Sequence, residues 1–600
     1  MTNPVHLVIN GRTVRAESDW SVLEAAKHHG VKIPHFCYLE GVHQIGSCRI
    51  CVVEVEGMRS LQASCTIPVR EGMVVKTSTA RVKKAREVLY ELMLSDHPRN
   101  CLSCFRNQNC EFQKLGEEIK IPDCRFEGEK SKDSVDASTP SIFRDTSKCI
   151  LCRRCVTVCS EIQGVGVLGV NNRGFKTTIG PAADLPLGSS NCANCGQCVM
   201  VCPTGALLTR ADMSPVWNAL FDPKVRTVVQ TAPAVRVALG EMFGMPPGTI
   251  VTAKMTHALR LLGFDDVFDT NFAADLTILE EGTEFLNRAL SAVRGEATVL
   301  PMITSCSPGW IKYVEHEFPG QLGHLSSCRS PHMMLGALAK TYHARRIGAD
   351  PKNMFVVSVM PCTAKKFEIT RPEMFIDGRP TVDAVLTTRE LARMIKEAGI
   401  DFNSLEGSGF DEPLGLSTGA ADIFGATGGV MEAALRTVYE VVTGREIPFP
   451  ALDVTPVRGL SSVKEAALTL EDVKPEFKEL EGFTVRLAVT SGLKGAKRIM
   501  KEVADGTAPW HFIEVMGCPG GCIAGGGQPR PTTRTIREAR MRAIYAEDAG
   551  KPRRKSHENQ AVMALYDEFL GKPNGHLSHE LLHTHYTPRG RFNELTPKGS

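Results

Sequence analysis

The chain has 600 residues, 42% hydrophobic and 23% charged, a globular composition at a length that divides into several domains of about 100 to 200 residues, which excludes disordered and fibrous classes. A formal net charge of +3, from 70 basic and 67 acidic side chains, is too near balance to announce nucleic acid, a membrane surface or a polyanion as partner. No apolar run approaches the roughly 18 residues of a membrane span, and the opening MTNPVHLVINGR has neither a signal-like pattern nor a twin arginine, so the sequence reads as soluble and cytoplasmic. The informative number is 21 cysteines in tight clusters. With no targeting segment to imply an oxidising compartment, thiolate ligation of a soft metal or of iron-sulfur clusters is favoured over disulfides.

Residues 1–80 read as one small domain. His6 to Ile9 alternates like a strand, Asn10-Gly11 is a two-residue hairpin turn, and Thr13 to Arg15 returns as the partner. A helix follows over SVLEAAKHH, capped by Ser21 or Asp19 and closed by Gly30. Cys37, Cys48, Cys51 and Cys65 then supply four thiolates, which suggests a [2Fe-2S] ferredoxin-like unit; the ten-residue gap after the first cysteine departs from the plant-type spacing. The domain resembles the N-terminal domain of the complex I electron-input subunit, with a structural zinc site as the alternative.

Residues 81–140 open with VKKAREVLYELMLS, whose apolar spacing predicts an amphipathic linker helix. His97, Cys101, Cys104 and Cys110 follow as three thiolates and one imidazole. Such a set can hold zinc, but its place among other cluster motifs, and its resemblance to complex I and hydrogenase segments, favour a [4Fe-4S] cluster with a histidine ligand. Cys124 fits no spacing rule and reads as a packed thiol.

Residues 141–212 carry an internal repeat. Cys149, Cys152, Cys155 and Cys159 are spaced CxxCxxCxxxC, and Cys192, Cys195, Cys198 and Cys202 repeat it, ending in Cys202-Pro203. This is the two-cluster ferredoxin signature, in which the fourth cysteine of each run ligates the other cluster. Cys159 is therefore assigned to the cluster of Cys192, Cys195 and Cys198, and Cys202 to that of Cys149, Cys152 and Cys155.

Four clusters make an electron relay, and residues 213–530 are expected to supply its terminus. TVVQTAPAV, ATVLPMITS, MFVVSVMP, VRLAVTS and FIEVMG read as buried strands alternating with helical segments, an α/β pattern. Three of these strands run directly into cysteine, at TSCSPGW, MPCTAKKFE and EVMGCPGGC. Sites in open α/β sheets form beyond the carboxyl ends of strands, so these distant cysteines are expected to converge.

TSCSPGW, MPCTAKKFE, EVMGCPGGCIAGGGQP and IFGATGGVMEAALR resemble the signature segments of [FeFe]-hydrogenases, and the resemblance runs from about Val5 to about Arg589. It implies a multidomain α+β and α/β protein: a β-grasp [2Fe-2S] domain, a cluster domain with one histidine and three cysteine ligands, a two-[4Fe-4S] ferredoxin-like domain, an α/β H-cluster domain, and a small-subunit-like extension over 531–600. It also implies one [2Fe-2S] cluster, three [4Fe-4S] relay clusters and an H-cluster, a cubane joined by cysteine to a diiron unit with carbonyl, cyanide and azadithiolate ligands. Carried over, Cys362, Cys518 and Cys522 are cubane ligands, Cys522 being the bridge; Met360, Lys365 and Met516 line the diiron pocket. A proton relay maps onto Cys306, Glu284, Ser326 and Glu281, with Arg288 at its outer end. Glu281 and Glu284 lie one turn apart on one helix face, placed to pass a proton between them.

One position departs from the family. Where relatives have two adjacent cysteines, the first relaying protons and the second ligating the cubane, this chain has Cys306 followed by Ser307. Cys306 and Cys328 are expected to divide those two roles, in an order the sequence leaves open.

Residues 530–555 hold nine basic and three acidic side chains and read as a solvated face; Val562 to Leu570 reads as helix. The four histidines of GHLSHELLHTHYTPR read as packing, capping or interface groups. The expected activity interconverts dihydrogen with protons and electrons. Without a Gly-rich dinucleotide fingerprint, the chain is expected to rely on a flavoprotein NAD(P)-binding subunit and a [2Fe-2S] subunit, with or without ferredoxin. A complex I-like input subunit and a sensory or assembly relative lacking the diiron unit are the rival readings.

Overall fold

Alternation builds the first domain. Leu7 and Ile9 of β1 (Pro4–Ile9) and Val14 and Ala16 of β2 (Arg12–Glu17) are buried, and the strands join through Asn10 and Gly11, both at positive φ. The computed structural model describes residues 3–121, 124–131 and 133–590, so the outer limits of the first and last expected domains, residues 1–2 and 591–600, lie outside the described residues. With β3 (Val52–Val55), β4 (Gln62–Ala63) and β5 (Val74–Lys76) the sheet runs β2-β1-β5-β3-β4, β1 and β5 pairing in parallel. Helix α1 (Val22–His28) starts in a capping box of Ser21 and Glu24 and buries Val22, Leu23, Ala25 and Ala26 in the same core, the β-grasp arrangement.

The linker helix forms as α2 (Ala80–Ser95), and its Arg86 donates to the carbonyls of Ile50 and Val52 beside the first cysteine set. Tyr90 stacks at 4.5 Å on Phe112 of α3 (Glu111–Ile119). The sequence repeat is also a conformational repeat. Around a small antiparallel sheet of β6 (Val135–Asp136), β7 (Ile142–Asp145) and β8 (Leu207–Thr209), α4 (Arg154–Thr157) and α5 (Gln197–Val201) each follow a left-handed residue, Arg153 at φ 60° and Gly196 at φ 69°. Two residues earlier, Leu151 and Asn194 repeat at φ 54° and 55°.

Residues 213–530 hold two four-stranded sheets. One, of parallel strands β9 (Arg226–Thr231), β10 (Asp266–Asp269), β12 (Met354–Met360) and β13 (Ala384–Thr387), is ordered β10-β9-β12-β13. The other contains β11 (Met302–Ile303), β14 (Val463–Thr469), β15 (Thr484–Ser491) and β16 (Phe512–Met516), ordered β11-β16-β15-β14 with only β14 antiparallel. The strand expected over ATVLPMITS shrinks to two residues at a sheet edge, where Pro301 offers no N–H to extend the ladder. Helix α6 (Thr270–Val293) is buried along most of its length, and α7 (Pro308–Glu317) begins beside Cys306. At the start of α8 (Gly429–Thr443), a Cβ on Gly428 or Gly429 would strike the carbonyls of Val457 and Ile423. Glu514 of β16 accepts from the N–H groups of Gly428 and Met431 at 2.6 and 2.8 Å, a carboxylate at the positive end of the helix.

The C-terminal extension corrects one expectation. In α9 (Arg534–Gly550), Arg540 is fully buried, with both ends of its guanidinium 2.7 Å from Glu241, and buried Asp548 binds Arg436 at 2.9 Å. The basic run is thus partly internal, because each buried charge has an opposite partner. After α10 (Gln560–Leu565) and α11 (His576–Leu582), His583 forms a β-bridge with Cys328. Among the described residues, no helix is long and apolar enough to cross a membrane.

Docking explains why the two repeats differ. Arg153 shows that the left-handed turn tolerates a side chain, yet a Cβ on Gly196 would collide with Thr363 Oγ1 and stand 3.1 Å from Gly526 Cα. Glycine is required there by the neighbouring domain. Gly196→Ala is expected to destabilise the protein by about 1–3 kcal/mol through overpacking, measured by denaturant unfolding, whereas Arg153→Ala leaves this contact intact.

Candidate metal centres and active site

The structure gathers the sequence-predicted thiols into separate sets. Cys48 N–H donates to Cys37 Sγ at 3.3 Å and Cys51 Sγ is 3.4 Å from Cys65 Sγ, while Cys37 also faces Cys65. His97, Cys101, Cys104 and Cys110 line a cleft of about 940 Å³. His97 Nδ1 is 2.8 Å from the Pro98 carbonyl, and its buried Nε2 has no hydrogen-bond partner among the described residues. Burial lowers the His97 pKa, so the ring is neutral, oriented through one nitrogen and open at the other, as a metal ligand must be.

Cys149, Cys152, Cys155 and Cys202 line one cavity of about 470 Å³, the exchanged fourth cysteine included. Cys159 is an electrostatic neighbour of Cys192, Cys195 and Cys198. Burial pushes Cys195 up to about 12 and drives Cys155 and Cys198 well above the ordinary thiol value. Iron supplies the positive charge that makes such buried sulfurs thiolates, so the donor chemistry fits iron-sulfur clusters.

Contacts between the sets define an order. His43 bridges the first domain to the ferredoxin-like one: its Nε2 lies 3.1 Å from the Cys152 carbonyl and its Nδ1 2.6 Å from Thr157 Oγ1. The His97 set meets the same cavity from another side, Glu111 N–H donating to the Pro203 carbonyl at 3.0 Å. The second repeat reaches the C-terminal half, where Gln197 Nε2 donates to the Ala524 carbonyl at 2.9 Å and Cys195 is an electrostatic neighbour of Cys518. His43 was absent from the sequence-derived set because a lone histidine outside a motif carries no signal.

At the carboxyl ends of β11, β12 and β16, a cleft of about 740 Å³ is lined by Cys306, Ser307, Met360, Cys362, Lys365, Met516, Cys518 and Cys522, with apolar Ala232, Pro233, Ala274 and Phe424 closing it. Close packing beside the cysteines requires glycine: a Cβ on Gly521 would lie 2.7 Å from Thr427 N, and one on Gly525 would strike the Pro361 carbonyl. Burial raises Cys522 to about 12 and drives Cys306 and Cys518 well above the ordinary thiol value. Half-buried thiols gathered in a largely apolar, glycine-walled cleft fit a sulfur-ligated cubane.

Lys365 is held by the Cys306 carbonyl and by Glu368 of its own turn, which a histidine braces. Its Nζ donates to the Cys306 carbonyl at 3.1 Å and to Glu368 Oε2 at 2.8 Å, and the same oxygen is 2.7 Å from His332 Nε2. Burial opposes the charge on Glu368, but Lys365 and His332 hold its pKa at about 2. Burial and the Lys365 charge bring His332 down to about 4, leaving it neutral. Sequence reasoning missed both residues, although Glu368 stands three residues after Lys365 in the same motif.

Ser307 and Cys306 face different ways. Ser307 precedes α7 but makes no side-chain cap; its Oγ accepts from Gly517 N–H at 3.0 Å, next to Cys518. Cys306 faces Glu281, whose carboxyl burial pushes up to about 8, with Ser326 bonding to it. Ser326 Oγ donates to Glu284 Oε2 at 3.0 Å, and Arg288 Nη2 donates to Glu284 Oε1 at 2.6 Å. Glu281 and Glu284 share a helix face as expected, but the Ser326 hydroxyl stands between them. Cys328 does not line the cleft: the Ser305 Oγ bond to its carbonyl and the bridge to His583 turn this segment away, leaving its sulfur beside Glu284 and His583.

Known proteins share this arrangement. The family "Iron only hydrogenase large subunit, C-terminal domain" matches residues 225–526, and the chain is 49% identical to the NADP-reducing hydrogenase subunit HndD of Solidesulfovibrio fructosivorans over 98% of its own length and 99% of that protein's. The chain belongs to the iron-only hydrogenase family. It is 39% identical to iron hydrogenase 1 of Clostridium pasteurianum, covering 97% of this chain and 99% of that one. A solved structure of [FeFe]-hydrogenase HydA1 from Chlamydomonas reinhardtii matches with TM-score 0.58 and 42% identity, spanning 64% of this chain and all of that one. The iron hydrogenase small subunit family matches residues 534–589. A 2Fe-2S iron-sulfur cluster binding domain matches 2–80, an NADH-ubiquinone oxidoreductase-G iron-sulfur binding region 86–125, and an NADH-quinone oxidoreductase subunit 3 ferredoxin-like domain 139–208. The protein is therefore an oxidoreductase with iron-sulfur domains feeding a hydrogenase domain.

If Glu281, Ser326 and Glu284 carry protons, Glu281→Gln keeps the shape of this chain but removes its exchangeable carboxyl proton. Hydrogen turnover is expected to fall by about 10²–10⁴-fold. Because the folded pKa of about 8 lies above the ordinary value of 4.5, the stability Glu281 contributes is complete below the ordinary value and lost as pH rises through about 8. Thermal melts between these limits should decline more steeply with pH for the native protein than for the Gln variant.

Proposed function

We propose that this chain is the catalytic subunit of a multisubunit NAD(P)-linked [FeFe]-hydrogenase, interconverting dihydrogen with protons and electrons. The observation that carries the reading is the single cleft in which Cys362, Cys518 and Cys522 meet Lys365, with the second ferredoxin-like repeat on one side and the Cys306–Glu281 chain on the other. One [2Fe-2S] cluster is assigned to Cys37, Cys48, Cys51 and Cys65, and three [4Fe-4S] clusters to the His97 set and the two exchanged ferredoxin sets. The contacts of both outer sets with the Cys149 set, and of the Cys192 set with the cleft, mean that clusters held by these residues would supply a path for electrons in either direction between the surface and the cleft.

There Cys362, Cys518 and Cys522 hold the cubane of an H-cluster, and Ser307, on the Gly517–Cys518 side, takes the fourth ligand position. When bound, the H-cluster supplies the redox chemistry of hydrogen and an internal amine base. The protein's residues position it and move protons. Lys365, pinned by Glu368, presents an ammonium to the cofactor's anionic ligands, while Met360 and Met516 exclude water. Cys306, Glu281, Ser326 and Glu284 exchange protons with the surface at Arg288. The domain limits 1–80, 81–140, 141–212, 213–530 and 531–600 follow these roles. Electrons enter or leave through a flavoprotein NAD(P)-binding subunit and a [2Fe-2S] subunit, or ferredoxin, in the cytoplasm.

Anaerobic protein made with its maturation machinery is expected to show carbonyl and cyanide infrared bands that shift under hydrogen. Full iron without such bands would instead identify an electron relay or a sensory relative. Ser307→Cys is expected to alter the cubane's paramagnetic resonance signal and Ser307→Ala to weaken cubane retention; unchanged spectra and iron content in both would remove Ser307 from the ligand set.

A further inference from the structure

Among the described residues, one group of metal-binding side chains lies outside every cluster set. We propose that Glu284, Cys328 and His583 form a zinc site whose occupation closes the proton relay. A Glu284 carboxylate oxygen, Cys328 Sγ and a ring nitrogen of His583 all lie within 4.8 Å of one another, so modest side-chain rotation brings them to bonds of about 2.0–2.3 Å around one ion. The three donors come from α6, the loop at 326–328, and the C-terminal extension.

The surroundings are built as a metal site requires. His583 Nε2 lies 3.1 Å from Glu280 Oε2, and Glu280 is itself fixed by Tyr566 Oη at 2.6 Å and Asn574 N–H at 2.7 Å. This carboxylate–histidine pair directs Nδ1, now 2.8 Å from Ser327 Oγ, toward the ion. Arg288 anchors the far oxygen of Glu284. Zinc binding releases the Cys328 thiol proton to solvent, and one thiolate with one carboxylate then cancels the dipositive charge, so the buried unit is neutral. The sulfur donor selects zinc over magnesium or calcium. Cys328 and His583 are buried, but the Glu284 and Arg288 side chains are 13% and 19% exposed, which gives the ion an entry.

With zinc on its carboxylate, Glu284 no longer accepts a proton from Ser326. This consequence rests on the relay reading above; binding does not. The test uses iron-replete holoenzyme equilibrated with Zn²⁺, with bound zinc counted after dialysis and turnover normalised to each protein's own metal-free rate. The native protein is expected to retain one more zinc per chain than Cys328→Ala or His583→Gln and to lose turnover reversibly on chelation. The variants should require at least about tenfold more zinc for the same inhibition, with the iron-cluster resonance spectra unchanged throughout. Equal zinc counts in all three proteins would overturn the site. Zinc held at the site without loss of turnover would overturn the closure and the relay through Glu284, while leaving the site itself standing.

Discussion

A buried thiol becomes a ligand only when a cation draws off its proton, and this constraint governs most of the molecule. Cys155, Cys198, Cys306 and Cys518 all sit where burial drives the thiol pKa far up. Sulfur in such surroundings is inert until iron arrives. The fold therefore provides sheltered, pre-gathered sulfur and leaves the last electrostatic contribution to the cofactor. The neutral, half-satisfied ring of His97 shows the same arrangement with nitrogen.

On the proposed reading, electrons and protons approach the cleft through different materials. On one wall, loops of the second repeat touch the Gly525–Gly527 turn, and glycine lets backbone meet backbone. On the other, α6 carries a carboxyl, reaches a serine hydroxyl, and returns to a second carboxyl nearer the surface. Ser307 and Cys306 are chain neighbours, yet the hydroxyl turns toward Cys518 and the thiol toward Glu281. The segment after β11 thus turns two neighbouring side chains to opposite walls of the cleft within one peptide unit.

Much of this was legible from spacing. The CxxC runs, the fourth-cysteine exchange and the strand-to-cysteine junctions all follow from local sequence, because cluster ligands sit on short loops whose geometry the spacing sets. What stayed hidden depends on residues brought together from afar. His43 beside Cys152 and His332 on Glu368 are isolated histidines with no local pattern, while His583 beside Glu284 belongs to the histidine-rich tail, whose spacing names no partner. Nor does a cysteine's presence carry its direction: the Cys328 sulfur lies beside Glu284 and His583 of the extension, not in the cleft. The basic run at 530–555 misled for a related reason, since the partners that accompany Arg540 and Asp548 lie on other elements.

Arg153 and Gly196 occupy the same place in two copies of one loop and share one backbone conformation. Their difference records a neighbour, not a fold. The duplicated halves are consequently no longer interchangeable. A loop transplanted from the second copy into the first would meet open surroundings, whereas the reverse graft would drive an arginine side chain into Thr363 and Gly526. The pseudo-symmetry of the ferredoxin-like module has become one-way, and the direction in which a graft succeeds marks the face that the catalytic half has claimed.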